Sequence, residues 1–224
     1  MAEFTMGSDP KAWRCEQMKI DSIIFDLDGT LWDAVHEISE AWNRAIDRYP
    51  EIRRITEEEL KGCMGLPIND IGKKLFPNID ENFQIKLMEQ CCHEEEEYLR
   101  AYGGSLYPKL EETLKSLSEK YKLFVVSNCQ EGYIQCFFQA HSLGKYFCDF
   151  ECAGFTGLSK GENNKLIMER NNLKNPVYVG DTIMDAEAAS VAGIPFVYAR
   201  YGFGKVEKYD YIIDNIDELI TLEI

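Results

Sequence analysis

The chain has 224 residues, of which 45% are hydrophobic and 12% aromatic, so it can bury a substantial core and wholesale disorder is excluded. Its formal net charge of −15 argues against general nucleic-acid binding, which needs a basic footprint. An anionic substrate would need local neutralisation, by a metal ion or a placed lysine, against that overall field.

Residues 1–17 (MAEFTMGSDPKAWRCEQ) carry no hydrophobic periodicity and no signal-peptide apolar stretch. They read as a vector-derived or frayed extension, with a second credible start at Met18. The first strand is expected over 21–26 (DSIIFD). From about Asp33 to Tyr102 no strand is needed and the pattern is helical. Residues 34–49 place Val35, Ile38, Trp42, Ala45, Ile46 and Tyr49 on one face, the mark of a core stripe. Thr56 and Glu59 form the two halves of a capping box. Residues 81–102 set Phe83, Leu87, Cys91, Tyr98 and Tyr102 at helical spacing, and the run Glu94–Glu97 reads as a solvated face. The glycines and proline of 102–108 (YGGSLYP) form a flexible return.

Further strands are expected over 122–127, 148–153, 176–181, 195–199 and 211–214, with helical segments 109–120, 133–143, 163–173 and 184–193 between them. Their continuous apolar runs suit a parallel sheet buried on both faces. The alternation predicts a doubly wound, mainly parallel Rossmann-like α/β fold, with a core of 18–32 and 107–224 and a small all-α cap domain, 33–106, inserted after the first strand. Eight cysteines, two of them adjacent at 91 and 92 and none in a C-x-x-C pair, suit free thiols in a reducing cytoplasm. No stretch approaches membrane-spanning length.

Ligands of an open parallel sheet bind at the carboxyl ends of its strands, so the residues delivered there matter most. The first strand delivers Asp26 and Asp28, which alternation turns to one side while Leu27 packs inward. Gly29 lets the chain turn sharply and approach a ligand. The second delivers Ser127 and Asn128; Lys160 stands at a helix entrance; the fourth strand delivers Asp181 and, after it, Asp185. Carboxylates gathered at one point stay partly protonated unless a cation sits among them, and an oxygen-only set suits Mg²⁺. With a phosphoryl group held by Mg²⁺, Lys160 and Ser127, Asp26 is the candidate covalent nucleophile and Asp28 the general acid and base.

The four segments DLDGT (26–30), VVSN (125–128), Lys160 and GDTIMD (180–185), in this order, resemble the motifs of the haloacid dehalogenase-like superfamily. DGTLWDA (28–34) and YIIDNIDELITL (211–222) resemble its phosphoglycolate-phosphatase-like branch, which has an α-helical cap. The resemblance implies a phosphatase of a small phosphorylated metabolite, with Asp26 as phosphoryl acceptor, Asp28 as acid and base, and Ser127 and Lys160 holding phosphoryl charge. It implies metal binding by Asp26, Asp28, Asp181 and Asp185, and substrate contacts from Gly29, Thr30 and Asn128. Dehalogenases lack the second aspartate, so Asp28 points to phosphate esters. A mutase resembling β-phosphoglucomutase and a non-catalytic phosphate-binding protein are the alternatives. Here Lys160 is followed by Gly161, where this branch commonly has proline, which leaves Lys165 as a rival; Ala34 stands where the branch usually has serine. Trp32, Asp33, His36 and the loop 62–70 (GCMGLPIND) could reach substrate, although packing or a surface turn explains each more simply.

Overall fold

The computed structural model describes residues 19–222, and the expected extension 1–17 lies outside the described residues. Six parallel strands form the main sheet: β1 (Ser22–Phe25), β4 (Lys122–Ser127), β5 (Asp149–Cys152), β6 (Pro176–Gly180), β7 (Phe196–Ala199) and β8 (Tyr211–Ile213), in the spatial order β5-β4-β1-β6-β7-β8. All six lie within the segments expected from the sequence. The chain builds outward from β1 through β4 to β5, then crosses to β6 on the other side of β1. The order therefore reverses at β1, and a crevice opens at its carboxyl end between β4 and β6.

Alternation along the strands makes two apolar faces. Ile23, Phe25, Val125 and Val179 point to one face, joined by Leu110, Leu114 and Leu117 of α5 (Leu110–Ser118). Ile24, Phe124, Val126 and Tyr178 point to the other, joined by Ile167 of α8 (Lys160–Arg170) and Ala189 of α9 (Ile183–Ala192). Burying each such aliphatic side chain stabilises the fold by about 1.5–3 kcal/mol. Helices α6 (Tyr133–His141) and α7 (Ala153–Thr156) complete the connections of this half.

Between β1 and β4 the chain makes an excursion through four helices: α1 (Val35–Ile46), α2 (Glu57–Lys61), α3 (Ile68–Leu75) and α4 (Glu81–Tyr102). Its two ends pair as short antiparallel strands, β2 (Trp32–Asp33) with β3 (Ser105–Leu106), in the register Trp32 with Leu106 and Asp33 with Ser105. The sequence pattern needed no strand here, because two-residue strands are too short to show a period. The capping box Thr56–Glu59 forms as expected. The predicted stripe of α1 is buried at Val35, Ile38, Trp42, Ala45 and Ile46, and packs on Leu87, Cys91 and Leu99 of α4.

Two readings of α4 are corrected. Tyr102 is 70% exposed, since it sits in the last turn, past the helix's contact with α1. Glu95, placed by charge pattern on a solvated face, is only 3% exposed and accepts a hydrogen bond from Trp42 Nε1 at 2.6 Å. The α4 helix packs on α1 and on α6, so its solvated arc is narrower than a one-sided amphipathic pattern implies.

Phe124 sits fully buried between the sheet and its second helical layer. Phe124→Ala should lower the stability of the fold by about 3–5 kcal/mol, measured as a shift in the urea midpoint.

Candidate active site

The centre of the site is a buried ammonium between two carboxylates. Lys160, 4% exposed, donates from Nζ to Asp26 Oδ1 and to Asp185 Oδ1, each at 2.8 Å. It opens α8, whose start is fixed by a capping box between Ser159 and Glu162. Burial alone would lower the lysine pKa, but Asp185 and Asp26 outweigh it and hold the ammonium charged. Lys165, the rival, is exposed on the same helix.

Asp26 directly follows β1, and its carboxyl is pushed up by burial and then by the charge of Asp185, against the pull of Lys160. Asp181, just past β6, is pushed up to about 7, again by burial first and Asp185 second. Asp185 Oδ2 accepts from the Thr182 amide at 2.9 Å and its hydroxyl at 2.6 Å, while Oδ1 takes Lys160 and, at 3.3 Å, the Tyr178 hydroxyl. Oxygens of Asp26, Asp181 and Asp185 lie within 4.8 Å of one another. Three buried carboxylates facing one lysine are short of positive charge, and their hard oxygen donors fit a hard divalent cation.

Asp28 stands apart from this trio. Its Oδ1 accepts from Trp32 Nε1 at 2.9 Å and from the Tyr133 hydroxyl at 2.6 Å, and burial pushes its carboxyl up to about 6 despite both bonds. Burial thus favours its proton while the two donors fix its orientation, whereas the metal-type cluster is made by the other three aspartates.

Gly29 and Thr30, expected to touch substrate, pack against Asp181. Gly29 has φ +81°, and a Cβ there would meet Asp181 Oδ2 at 2.2 Å, so only glycine fits. Thr30 is fully buried; its hydroxyl points to Asp181 Oδ1 at 3.5 Å and its carbonyl accepts from the Tyr201 hydroxyl at 2.8 Å. The loop after β7 closes on the same carboxylate: Phe203 donates its amide to Asp181 Oδ2 at 2.7 Å, and a Cβ on Gly202 would come within 2.3 Å of Asp181 Cβ. The Gly202-Phe203-Gly204 spacing after a strand was the signal available for this loop.

Ser127 and Asn128 reach the crevice from the end of β4. The Ser127 oxygen accepts from the Cys129 amide at 3.3 Å, which leaves its own proton to donate. Asn128 donates from Nδ2 to the Gly65 carbonyl at 2.8 Å, so it ties the sheet to the excursion's loop. A cavity of about 50 Å³ runs from Asp26 and Asp28 to that loop, where Met64, Leu66 and Ile68 line it. Glu95, Gln130 and Trp42 also line it; sequence reasoning assigned the first to solvent and the last to core. Trp32 is buried and serves Asp28, Asp33 accepts from the Val35 amide at 3.0 Å, and His36 is exposed and pairs with Glu57.

Two measurements follow from these charges. Lys160→Met leaves Asp26 and Asp185 without their cation and should cost about 3–5 kcal/mol of stability, while Lys165→Met should stay within about 0.5 kcal/mol; paired denaturant titrations decide. Burial pushes Glu95 from the ordinary 4.5 up to about 8, so the folded chain holds this proton more tightly than the unfolded one. Its contribution is therefore most favourable at low pH and is lost as pH rises through that window. Glu95→Gln, which cannot ionise, should gain in thermal stability relative to wild type as pH rises from 5 to 9, and a constant difference would contradict this.

Residues 23–199 match the haloacid dehalogenase-like hydrolase family. A phosphoglycolate phosphatase of Vibrio vulnificus is 27% identical over 224 residues, covering 92% of this chain and 97% of that protein. Among solved structures, a haloacid dehalogenase-like family hydrolase from Streptococcus pneumoniae superposes with a TM-score of 0.76 at 20% identity, over 90% of this chain and 97% of that one. CbbY from Rhodobacter sphaeroides, solved in complex with phosphate, superposes with a TM-score of 0.76 at 16% identity, over 89% and 96%. With its family match spanning most of the chain and its aspartates and lysine gathered at the strand ends, this protein belongs to the haloacid dehalogenase-like hydrolases.

Proposed function

We propose that the chain is a Mg²⁺-dependent phosphatase of a small phosphorylated metabolite, working through a phosphoryl group carried covalently on Asp26. The observation that carries this reading is the pairing of Asp26 with a buried lysine beside a second, separately held aspartate, at the mouth of a small cavity. The phosphoglycolate phosphatases among its relatives support the same class of reaction.

In the first half-reaction Asp26 attacks phosphorus through the oxygen not bonded to Lys160, and the ester P–O bond breaks. Asp28, held by Tyr133 and Trp32, gives its proton to the departing alkoxide. In the second half Asp28 takes a proton from water as the water oxygen attacks phosphorus, releasing inorganic phosphate and restoring the Asp26 carboxylate. Ser127 donates its hydroxyl to a phosphoryl oxygen and Lys160 offsets the charge on it. Asp26 and Asp181 would hold the Mg²⁺ ion, which supplies further neutralisation of phosphoryl charge. Asp185, whose oxygens already accept four hydrogen bonds, keeps Lys160 in position. Helices α1–α4 act as a cap domain over the crevice, excluding bulk water from the first step. The seven described cysteines are all free thiols, which suits the cytoplasm. No helix among the described residues is long and apolar enough to cross a membrane.

Phosphate release from a panel of phosphorylated metabolites tests this. Wild-type turnover should vanish with chelator, return with Mg²⁺ and be absent in Asp26→Asn, whereas Asp28→Asn should slow it by about 10²–10⁴-fold. Turnover surviving in Asp26→Asn would overturn the covalent route.

A further inference from the structure

We propose that Cys129 and Cys152 are an oxidation site: a small peroxide joins their thiols as a disulfide, and that bond stops turnover by shifting the loop that carries Ser127. The effect on turnover rests on the phosphatase reading, whereas the bond itself does not. Cys129 lies two residues beyond Ser127, just past the end of β4, and lines the cavity together with Asp26 and Asp28. Cys152 ends the neighbouring strand β5, where it stands in register with Ser127. The two segments stay together past the sheet. The Gly154 amide donates to the Cys129 carbonyl at 3.0 Å, and a Cβ on Gly154 would meet Gln130 Cα at 2.5 Å. In this close seam the Cys129 thiol donates to the Cys152 sulfur. Both thiols are free. Cys91 and Cys92, although adjacent in sequence, lie on one helix, where side chains at i and i+1 do not face each other.

The pair has what such chemistry needs. A thiolate is the attacking form, and the hydrogen bond from Cys129, with the Phe155 amide, holds the Cys152 thiol below its ordinary range against the effect of burial. The cavity of about 50 Å³ beside Cys129 has room for a peroxide but not for a bulky disulfide oxidant. The Cys152 thiolate attacks one peroxide oxygen, the O–O bond breaks and hydroxide leaves, taking up as water the proton that Cys152 had shed. The Cys129 sulfur then attacks the S–OH group so formed. The S–O bond breaks, and the Cys129 proton departs with that oxygen as a second water. Two thiols are oxidised and one peroxide is reduced.

The consequence for the site follows from what is tied to Cys129. Its amide donates to Ser127 Oγ at 3.3 Å, and Asn128 beside it donates to the Gly65 carbonyl at 2.8 Å. A disulfide is much shorter than a thiol–thiol hydrogen bond. Closing it draws Cys129 toward β5 and takes Ser127 and the tie to the loop after α2 with it.

The whole chain, first reduced, is treated with hydrogen peroxide and read in two ways, by peptide mass spectrometry and by Mg²⁺-dependent hydrolysis of acetyl phosphate. Wild type should yield a peptide linking Cys129 to Cys152 and lose turnover by about tenfold or more, since a small displacement of a positioning group is costly. Dithiothreitol should remove the link and restore turnover. Cys152→Ala, checked for folding by circular dichroism, should match reduced wild type before treatment and keep its turnover afterwards. Oxidation at other cysteines without a link between Cys129 and Cys152, or no oxidation at all, would overturn the site. A link that leaves turnover intact, or an equal loss in folded Cys152→Ala, would overturn the switch. If reduced and folded wild type hydrolyses no acetyl phosphate, the phosphatase reading falls and the switch with it, while the mass spectrum still decides the bond.

Discussion

Everything in the site depends on one ammonium group held between two buried carboxylates. The sheet brings Asp26, Asp181 and Asp185 to within a few ångströms because two strand ends, of β1 and β6, and the start of α9 meet at the place where strand order reverses. Left alone, three such groups would retain protons. Lys160 opposes that tendency for two of them, and it can do so only because the capping box at Ser159 and Glu162 fixes where α8 begins. A shortage of positive charge persists around Asp181, which is where a hard divalent cation fits.

The two aspartates of the first strand illustrate how neighbours divide labour between chemically identical side chains. Asp26 faces a cation and lies among other carboxylates. Asp28, two residues on, faces a phenol and an indole, neutral donors that orient it while burial outweighs their pull on its proton. Both partners of Asp28 come from outside the strand: Trp32 lies where the chain leaves for the four inserted helices, and Tyr133 opens α6. Asp28 is thus anchored by the same junction that supports the excursion.

Much of this was legible in the sequence, for reasons that differ by element. The strands announced themselves because a parallel sheet buried on both faces forces continuous apolar runs, as in Ile23-Ile24-Phe25 and Val125-Val126. Asp26, Ser127, Lys160, Asp181 and Asp185 were legible because strand ends and a helix start fix their positions, and these are local properties. Lys160 could be ranked above Lys165 by its place at the helix start, and the geometry puts it between the carboxylates. Glu95 was misread because its burial is set by α1 and α6, far away in sequence, and a run of four glutamates has the composition of a solvated face. The packing of Thr30 and Gly29 was hidden for the converse reason: nothing local says that the space beyond them is filled by Asp181 and the loop at Phe203.

The short pairing of β2 with β3 has a consequence for how such a chain can change over time. Because the outgoing and returning segments run side by side, Trp32 beside Leu106, the core's path is closed before the four helices are counted. The entropy of closing a loop grows only slowly with its length, so helices between these two points can be lengthened, shortened or replaced at little cost to the sheet. The pieces that make the chemistry and the pieces that shape the cavity are therefore under separate mutational control, joined by a ribbon two residues wide.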